Sequence, residues 1–210
     1  MVDRLGQVGQ RRAGTAATVH HTRGGVVGLR DVLRDRERHC RVGHLSRNLA
    51  VVLLRGDRVG IWAPNRYEWV LLQYATARIG AILVNVNPLY TSRELEHQLN
   101  DSGAEVLVII ENFASVYQSI LGKTPVKHVV IASVGDMLGF LKGNLVNFVL
   151  RNVRKQIPAW DIPGHIKFNA AINKVSPSHY KRPNLSLSDT AVLQYTGGTT
   201  GVSKGAELTH

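Results

Sequence analysis

Lys204 closes a run of small and hydroxylated residues: Tyr195, Thr196, Gly197, Gly198, Thr199, Thr200, Gly201, Val202, Ser203, Lys204, Gly205. Glycines let the backbone turn where side chains would clash, and they bring successive N–H groups close to an anion. Threonine hydroxyls add donors, and the lysine adds a full positive charge. The chemistry served by this combination is phosphate binding. A plain glycine-rich turn requires neither the threonines nor a lysine at a fixed offset.

Two other phosphate motifs do not fit the run. In G-x-x-x-x-G-K-[ST] the second glycine would fall at Val202 or Ser203, and Lys204 is followed by Gly205 instead of a hydroxyl residue. In G-x-G-x-x-G a glycine would follow Gly197 or Gly198 by two positions, where Thr199 and Thr200 stand. Nine histidines are present, but no H-x-x-x-H or H-E-x-x-H pair. His97 lies in a charged helical stretch and reads as solvated. His128 alternates into an apolar strand and reads as a core or edge histidine. Asn65, Asn85, Asn87 and Tyr90 follow strands and can face a site; turn formation is the expected role of the asparagines.

A phosphate loop needs a strand to aim it, and the chain supplies an alternation of strands and helices. Asp57 to Trp62 reads as a strand and Ala63 to Asn65 as a turn. Tyr67 to Gly80 reads as a helix with Trp69, Leu72, Ala75 and Ile79 on one face and Gly80 as its cap. The stretch AILVNV is the next strand. TSRELEHQLNDSG is a helix with Ser92 as N-cap, acids in its first turns and Gly103 past its end. Ala104 to Ile110 is nearly all apolar, as suits a strand buried on both faces. A short helix over Asn112 to Leu121, a strand over Val126 to Ala132 and a strand TAVLQYT before the loop complete the pattern. This spacing predicts an α/β fold, a mostly parallel sheet with flanking helices. With TAVLQYT as the last strand, the sheet is expected to end on an apolar edge. IPAWDIPG and SPSHYKRPNLSLSD read as loops.

Met137 to Lys155 stands apart. Leu138, Leu141, Leu145, Phe148 and Val149 share a helical face, flanked by Lys142, Arg151, Arg154 and Lys155. The pattern fits packing on the chain's own sheet, the expectation adopted, or peripheral contact with an anionic membrane.

Composition bounds the rest. The 210 residues are 44% hydrophobic, enough for a core. Cys40 is the only cysteine, so neither a disulfide framework nor a cysteine zinc site is available, and a cytoplasmic setting is expected. The longest apolar stretch, Ile131 to Leu150, is broken by Asp136 and Lys142, so no transmembrane helix is expected. The net charge of +11 is uneven: residues 1–60 hold twelve arginines, no lysine and five acids. They hold no Phe, Tyr or Trp, which argues against a nucleic-acid interface.

Tyr195 to Gly205 resembles the signature loop of the adenylate-forming enzymes, the acyl-CoA synthetases and their relatives. GDRVGIWAPNRYEWV, GAILVNVNPLYTSRELEHQLNDSGAEVLVI and LQYTGGTTGVSKGA resemble long-chain fatty-acid–CoA ligases in order and spacing. The resemblance covers Leu53 to His210. It implies a truncated part of the N-terminal domain of an adenylate-forming enzyme, with a partial AMP-binding domain over residues 46–210. It also implies a two-step reaction. A fatty-acid carboxylate attacks the α-phosphate of ATP and releases pyrophosphate; the thiol of coenzyme A then displaces AMP. On this resemblance the Gly197 to Gly201 backbone and the Thr196, Thr199 and Thr200 hydroxyls cradle phosphates, Lys204 neutralises the leaving group, and Mg2+ bridges phosphate oxygens.

The resemblance carries further expectations. The chain is a fragment ending at its phosphate loop, with the catalytic residues beyond residue 210; the alternative is a non-catalytic remnant or binding module. Peripheral attachment would be at the inner membrane face. Residues 1–45 lie outside the resemblance, lack periodicity and are expected to be poorly ordered. Glu207 stands where an apolar residue is usual and is expected to weaken phosphate binding at Lys204.

Overall fold

The computed structural model describes residues 53–173, 180, 182–196 and 203–210. The segment 1–45 and the loop residues Gly197 to Val202 lie outside the described residues. Everything described belongs to one unit, His44–His210.

Among the described residues seven strands form one sheet: β1 (Arg58–Trp62), β2 (Ile82–Asn85), β3 (Val106–Ile110), β4 (His128–Ala132), β5 (Ile166–Lys167), β6 (Thr190–Thr196) and β7 (Lys204–Thr209). Between them run α1 (Tyr67–Arg78), α2 (Ser92–Ser102), a 3-10 turn at Glu111–Phe113 leading into α3 (Ala114–Gln118), α4 (Phe140–Phe148) with a π-helical extension Val149–Val153, and α5 (Phe168–Asn173). The sheet order is β5-β4-β3-β1-β2-β6-β7. Every pairing is parallel except β6 with β7. The expected mostly parallel α/β architecture is therefore present.

Strand alternation divides the core in two. Trp62, Leu107, Ile109, Val129 and Ile131 pack with Leu95 and Leu99 of α2 and Tyr117 of α3. Val59, Ile61, Val106, Val108 and Val130 pack on the other face with Phe168 of α5 and with Trp69 and Leu72 of α1. β3 is buried along its whole length, as its continuous apolar sequence predicts. Burying one side chain such as Ile61, Leu107 or Ile109 contributes about 2 kcal/mol.

Several local expectations are corrected. The N-cap of α2 is Thr91 instead of Ser92. Its hydroxyl accepts from the Glu94 N–H, and the Glu94 carboxylate accepts from the Thr91 N–H at 2.8 Å, a reciprocal capping box. Gly103 ends α2 at φ 63°, as read from the sequence. His128 opens β4 and is exposed, not core. β5 and α5 arise in a stretch that carries no clear period, each being only one or two turns or rungs long.

The helix over Met137 to Lys155 does not bury its apolar face. Gly143 is the only buried residue of α4. Phe140 and Leu141 are 83% and 80% exposed, and Leu145, Phe148 and Val153 are also exposed. The reason is that the segment docks by its small and polar side. Gly143 and Gly135 meet backbone to backbone, leaving no room for a Cβ on either. Asn147 Oδ1 accepts from the Gly135 N–H at 2.8 Å, and Arg151 reaches Glu111 and Ser133.

β6 is also not the sheet edge. β7 covers it, so the exposed edge is a strand carrying Lys204 and Glu207 instead of the expected apolar one. A charged edge of this kind discourages pairing with other chains, which an apolar edge invites.

Candidate phosphate-binding site

β6 lies between parallel β2 and antiparallel β7, with Leu83 beside Val192 and Asn85 beside Gln194. Its carboxyl end therefore points the same way as those of β1 and β2, the end of a parallel sheet where ligands bind. The last two rungs before the glycine loop pair Tyr195 with Gly205 and Thr196 with Lys204. Thr196 and Lys204 are exposed and Ser203 is half-buried. Among the described residues Lys204 has no carboxylate partner. An exposed ammonium without such a partner, set across from a hydroxyl at a loop mouth, suits an anion.

Tyr195 turns away from that mouth. Its side chain belongs to the core packed on α2, and its hydroxyl donates to Asp101 Oδ2 at 2.6 Å. Burial first, and then the Asp101 carboxylate, hold the phenol above its ordinary value. The ring lies over Gly205, where a Cβ would come within 3.0 Å of Cζ. Gly205 thus lacks a side chain because the Tyr195 ring occupies that space.

A cavity of about 250 Å³ opens beside Tyr195, lined among others by Asn65, Asn85, Asn87, Pro88 and Gln194. The asparagines divide in role. Asn87 forms the expected turn: its Oδ1 accepts from the Leu89 N–H at 3.0 Å, and its carbonyl accepts from Trp62 Nε1 at 2.8 Å. Asn85 is instead the last residue of β2, and its amide links Trp69 Nε1 at 3.2 Å to Gln194 Oε1 at 3.4 Å. Gln98, fully buried, donates to the Asn85 carbonyl at 2.9 Å. Three of the lining amides, Asn85, Asn87 and Gln194, are thus held by hydrogen bonds.

The expected interference from Glu207 is not what the geometry provides. Lys204 and Glu207 are three residues apart on one strand, so they face opposite sides of the sheet about 10 Å apart. The Glu207 carboxylate accepts from the Thr190 hydroxyl at 2.8 Å. As for a magnesium ion, no three His, Cys, Asp or Glu side chains converge as a ligand set among the described residues. The described residues around Lys204 offer the Thr196 hydroxyl and a cation, which suits an anion better than a metal ion.

Asp101, Gln194 and Gln98 carry no motif in the sequence. The available signal is periodicity: Asp101 lies in the last turn of α2, and Gln194 precedes Tyr195 by one strand position.

The model of the AMP-binding enzyme family matches residues 36–210. The chain belongs to that family. Within it, the chain is similar to the long-chain-fatty-acid–CoA ligase of Escherichia coli O157:H7, 48% identical over 158 residues, covering 75% of this chain and 28% of that ligase. The ligase of Haemophilus influenzae gives the same identity and coverage. The chain spans 28% of the length of these ligases. Among solved structures of the fold, the anthranilate CoA ligase AuaEII in complex with anthranoyl-AMP superposes with a TM-score of 0.57 at 25% identity, over 74% of this chain and 25% of that one. The Brucella canis acyl-CoA synthetase gives 0.54 at 22% identity, over 75% and 24%. Among the described residues no helix is long and apolar enough to cross a membrane.

Proposed function

We propose that this chain carries the phosphate-binding portion of an ATP-dependent long-chain fatty-acid–CoA ligase. The observation that supports it is the position of Lys204. It has no carboxylate partner among the described residues and is paired across a rung with Thr196, at the carboxyl end of a parallel strand and beside an amide-lined cavity. The ligase resemblance over 158 residues supports the substrate class. In this reading Tyr195 to Gly205 form the binding segment, Gly197, Gly198, Thr199, Thr200, Gly201 and Val202 included. Thr196, Thr199, Thr200 and Ser203 supply hydroxyls, and Lys204 neutralises the β- and γ-phosphates, favouring pyrophosphate as a leaving group. Magnesium would enter with the phosphates, and coenzyme A would accept the acyl group.

The test is binding of pyrophosphate and ATP to the chain. Lys204→Ala should weaken pyrophosphate about tenfold, the loss of one charge partner. Binding that ignores this substitution would remove Lys204 from the site. A ligase and a non-catalytic binding module part at the next step. Rate requires interactions that strengthen in the transition state and reactants held together, not phosphate affinity alone. Fatty-acid-dependent exchange of pyrophosphate into ATP identifies a ligase and excludes the module.

The same reading includes a cytoplasmic setting with peripheral attachment at the inner membrane face through Met137 to Lys155. Phe140, Leu141, Leu145 and Phe148 are exposed, Lys142, Arg154 and Lys155 flank them, and residues 137–160 contain no acid. Anionic vesicles should retain the chain and neutral vesicles should not, and Leu141→Ser with Phe148→Ser should abolish retention.

A further inference from the structure

We propose that Asp101 is a positioning residue for Lys204, acting through Tyr195 on the paired ends of β6 and β7. The inference rests on the reading of Lys204 as phosphate-binding. Asp101 is exposed and lies in the last turn of α2, where a carboxylate faces the negative end of the helix dipole and no basic residue of that turn offsets it. Helix stability therefore gives no reason for an acid there. What Asp101 does have is a 2.6 Å hydrogen bond from the Tyr195 hydroxyl, the length of a charge-assisted O–H to carboxylate bond.

That bond fixes more than one side chain. Tyr195 is only 9% exposed and is packed on Leu99 and its neighbours, so its ring cannot swing without leaving the core. With the hydroxyl held, the ring lies over Gly205 on the facing strand, filling the space a side chain would take. Tyr195 and Gly205 are register partners, and the next rung outward is Thr196 with Lys204. Asp101, Tyr195 and Gly205 thus form a strut running from a helix, through a strand, to the strand that carries the lysine. It sets the height and register of Lys204 above the sheet. Asp101 itself touches no ligand; it acts on where Lys204 stands.

The experiment uses the whole chain with Tyr195→Phe, Asp101→Ala and Asp101→Asn. Amide hydrogen exchange is followed at the amides that pair β6 with β7 in the loop-end rungs Tyr195–Gly205 and Thr196–Lys204, with the Val192–Leu208 rung as the distant end of the same hairpin. Tyr195→Phe and Asp101→Ala should speed exchange at the loop end by about tenfold or more, the loss of one hydrogen bond to a charged group. Val192 and Leu208 should not change. Asp101→Asn should restore much of the protection, because its amide oxygen accepts from the same hydroxyl without the charge. Unchanged rates overturn the strut, as does equal acceleration along the whole hairpin or an Asn variant as fast as the Ala variant. Pyrophosphate is then titrated into the same samples. Weakening in Tyr195→Phe and Asp101→Ala with recovery in Asp101→Asn ties the strut to binding. Equal affinity in all four proteins overturns the positioning role. A wild-type chain that ignores pyrophosphate overturns the phosphate reading itself, while the exchange rates still decide whether the strut exists.

Discussion

The Arg151 guanidinium donates to both carboxylate oxygens of Glu111, from Nε at 2.9 Å and from Nη2 at 2.7 Å. Glu111 is buried and follows the end of β3, whereas Arg151 belongs to the π-helical extension of α4 and is about half exposed. The pair is therefore anchored at one end in the core and at the other in a surface segment. Arg151→Ala leaves a buried carboxylate without this cation. It should destabilise the fold by about 2 kcal/mol, below the full cost of breaking a buried pair because water reaches the arginine side. Urea unfolding measures this, and Glu111→Gln with Arg151→Ala should cost less than Arg151→Ala alone.

The backbone contact between Gly135 and Gly143 predicts a second, steric effect. Neither glycine has a positive φ, so the obstacle to a side chain is space alone. Gly143→Ala should cost about 1–3 kcal/mol, as overpacking does, despite alanine's higher helix propensity. A stabilised Gly143→Ala protein in thermal unfolding would contradict the contact.

Asp136 supplies a pH dependence. Its carboxyl is held above the ordinary 3.8, first by burial and further by the nearby Glu68 and Glu111 charges, against the Ser133 N–H that donates to it. A folded-state value above the unfolded one means the fold prefers the neutral acid. That contribution is complete below pH 3.8 and is lost as pH rises through the raised value. Asp136→Asn keeps an acceptor for the Ser133 N–H and removes the charge. Its stability should gain on the wild type as pH rises from 3.8 through the raised value and hold a constant lead above it, as read by urea midpoints across that range. A difference that stays flat with pH would show that Asp136 titrates alike in both states.

Glu207 offers a control for Lys204. The two side chains point to opposite faces, and Glu207 is engaged by Thr190. Glu207→Ala should change pyrophosphate affinity by less than about twofold at physiological salt, where screening acts over about 8 Å. A tenfold gain would mean that the acid does oppose the bound anion.

The parallel sheet is legible in the sequence because it is written in strong signals. Val106 to Ile110 is a continuous apolar run, and Gly103 marks the end of α2. The α2 cap falls one residue before the position read from the sequence because Ser92 and Thr91 are both capping types; the reciprocal Glu94 decides for Thr91. β7 is not legible. Its sequence Lys-Gly-Ala-Glu-Leu-Thr has no buried face to impose alternation, and it is a strand only because β6 offers a free side. The outward apolar face of α4 escapes the sequence for a related reason: periodicity reveals which side is apolar, but not that Gly143 and Arg151 dock the opposite side. At the site, the loop residues carry their chemistry in their types. Asp101 does not, since its role depends on a tyrosine 94 positions away that only the folded sheet brings near.

The sheet order has a consequence for how the chain is made. β1, β2 and β3 lie side by side and follow one another closely in sequence, so all three are available for pairing once about residue 110 has left the ribosome. β2 has a second neighbour, β6, whose Gln194 meets Asn85 across 109 residues. Until that late strand arrives, one flank of β2 presents unpaired amides and carbonyls beside Leu83 and Val84. Synthesis at roughly 5–20 residues per second leaves this flank open for some seconds, the interval in which a nascent chain is most exposed to mispairing and in which a chaperone has most to protect. The strand that carries Lys204 thus enters on the tail of the strand that pairs with β2.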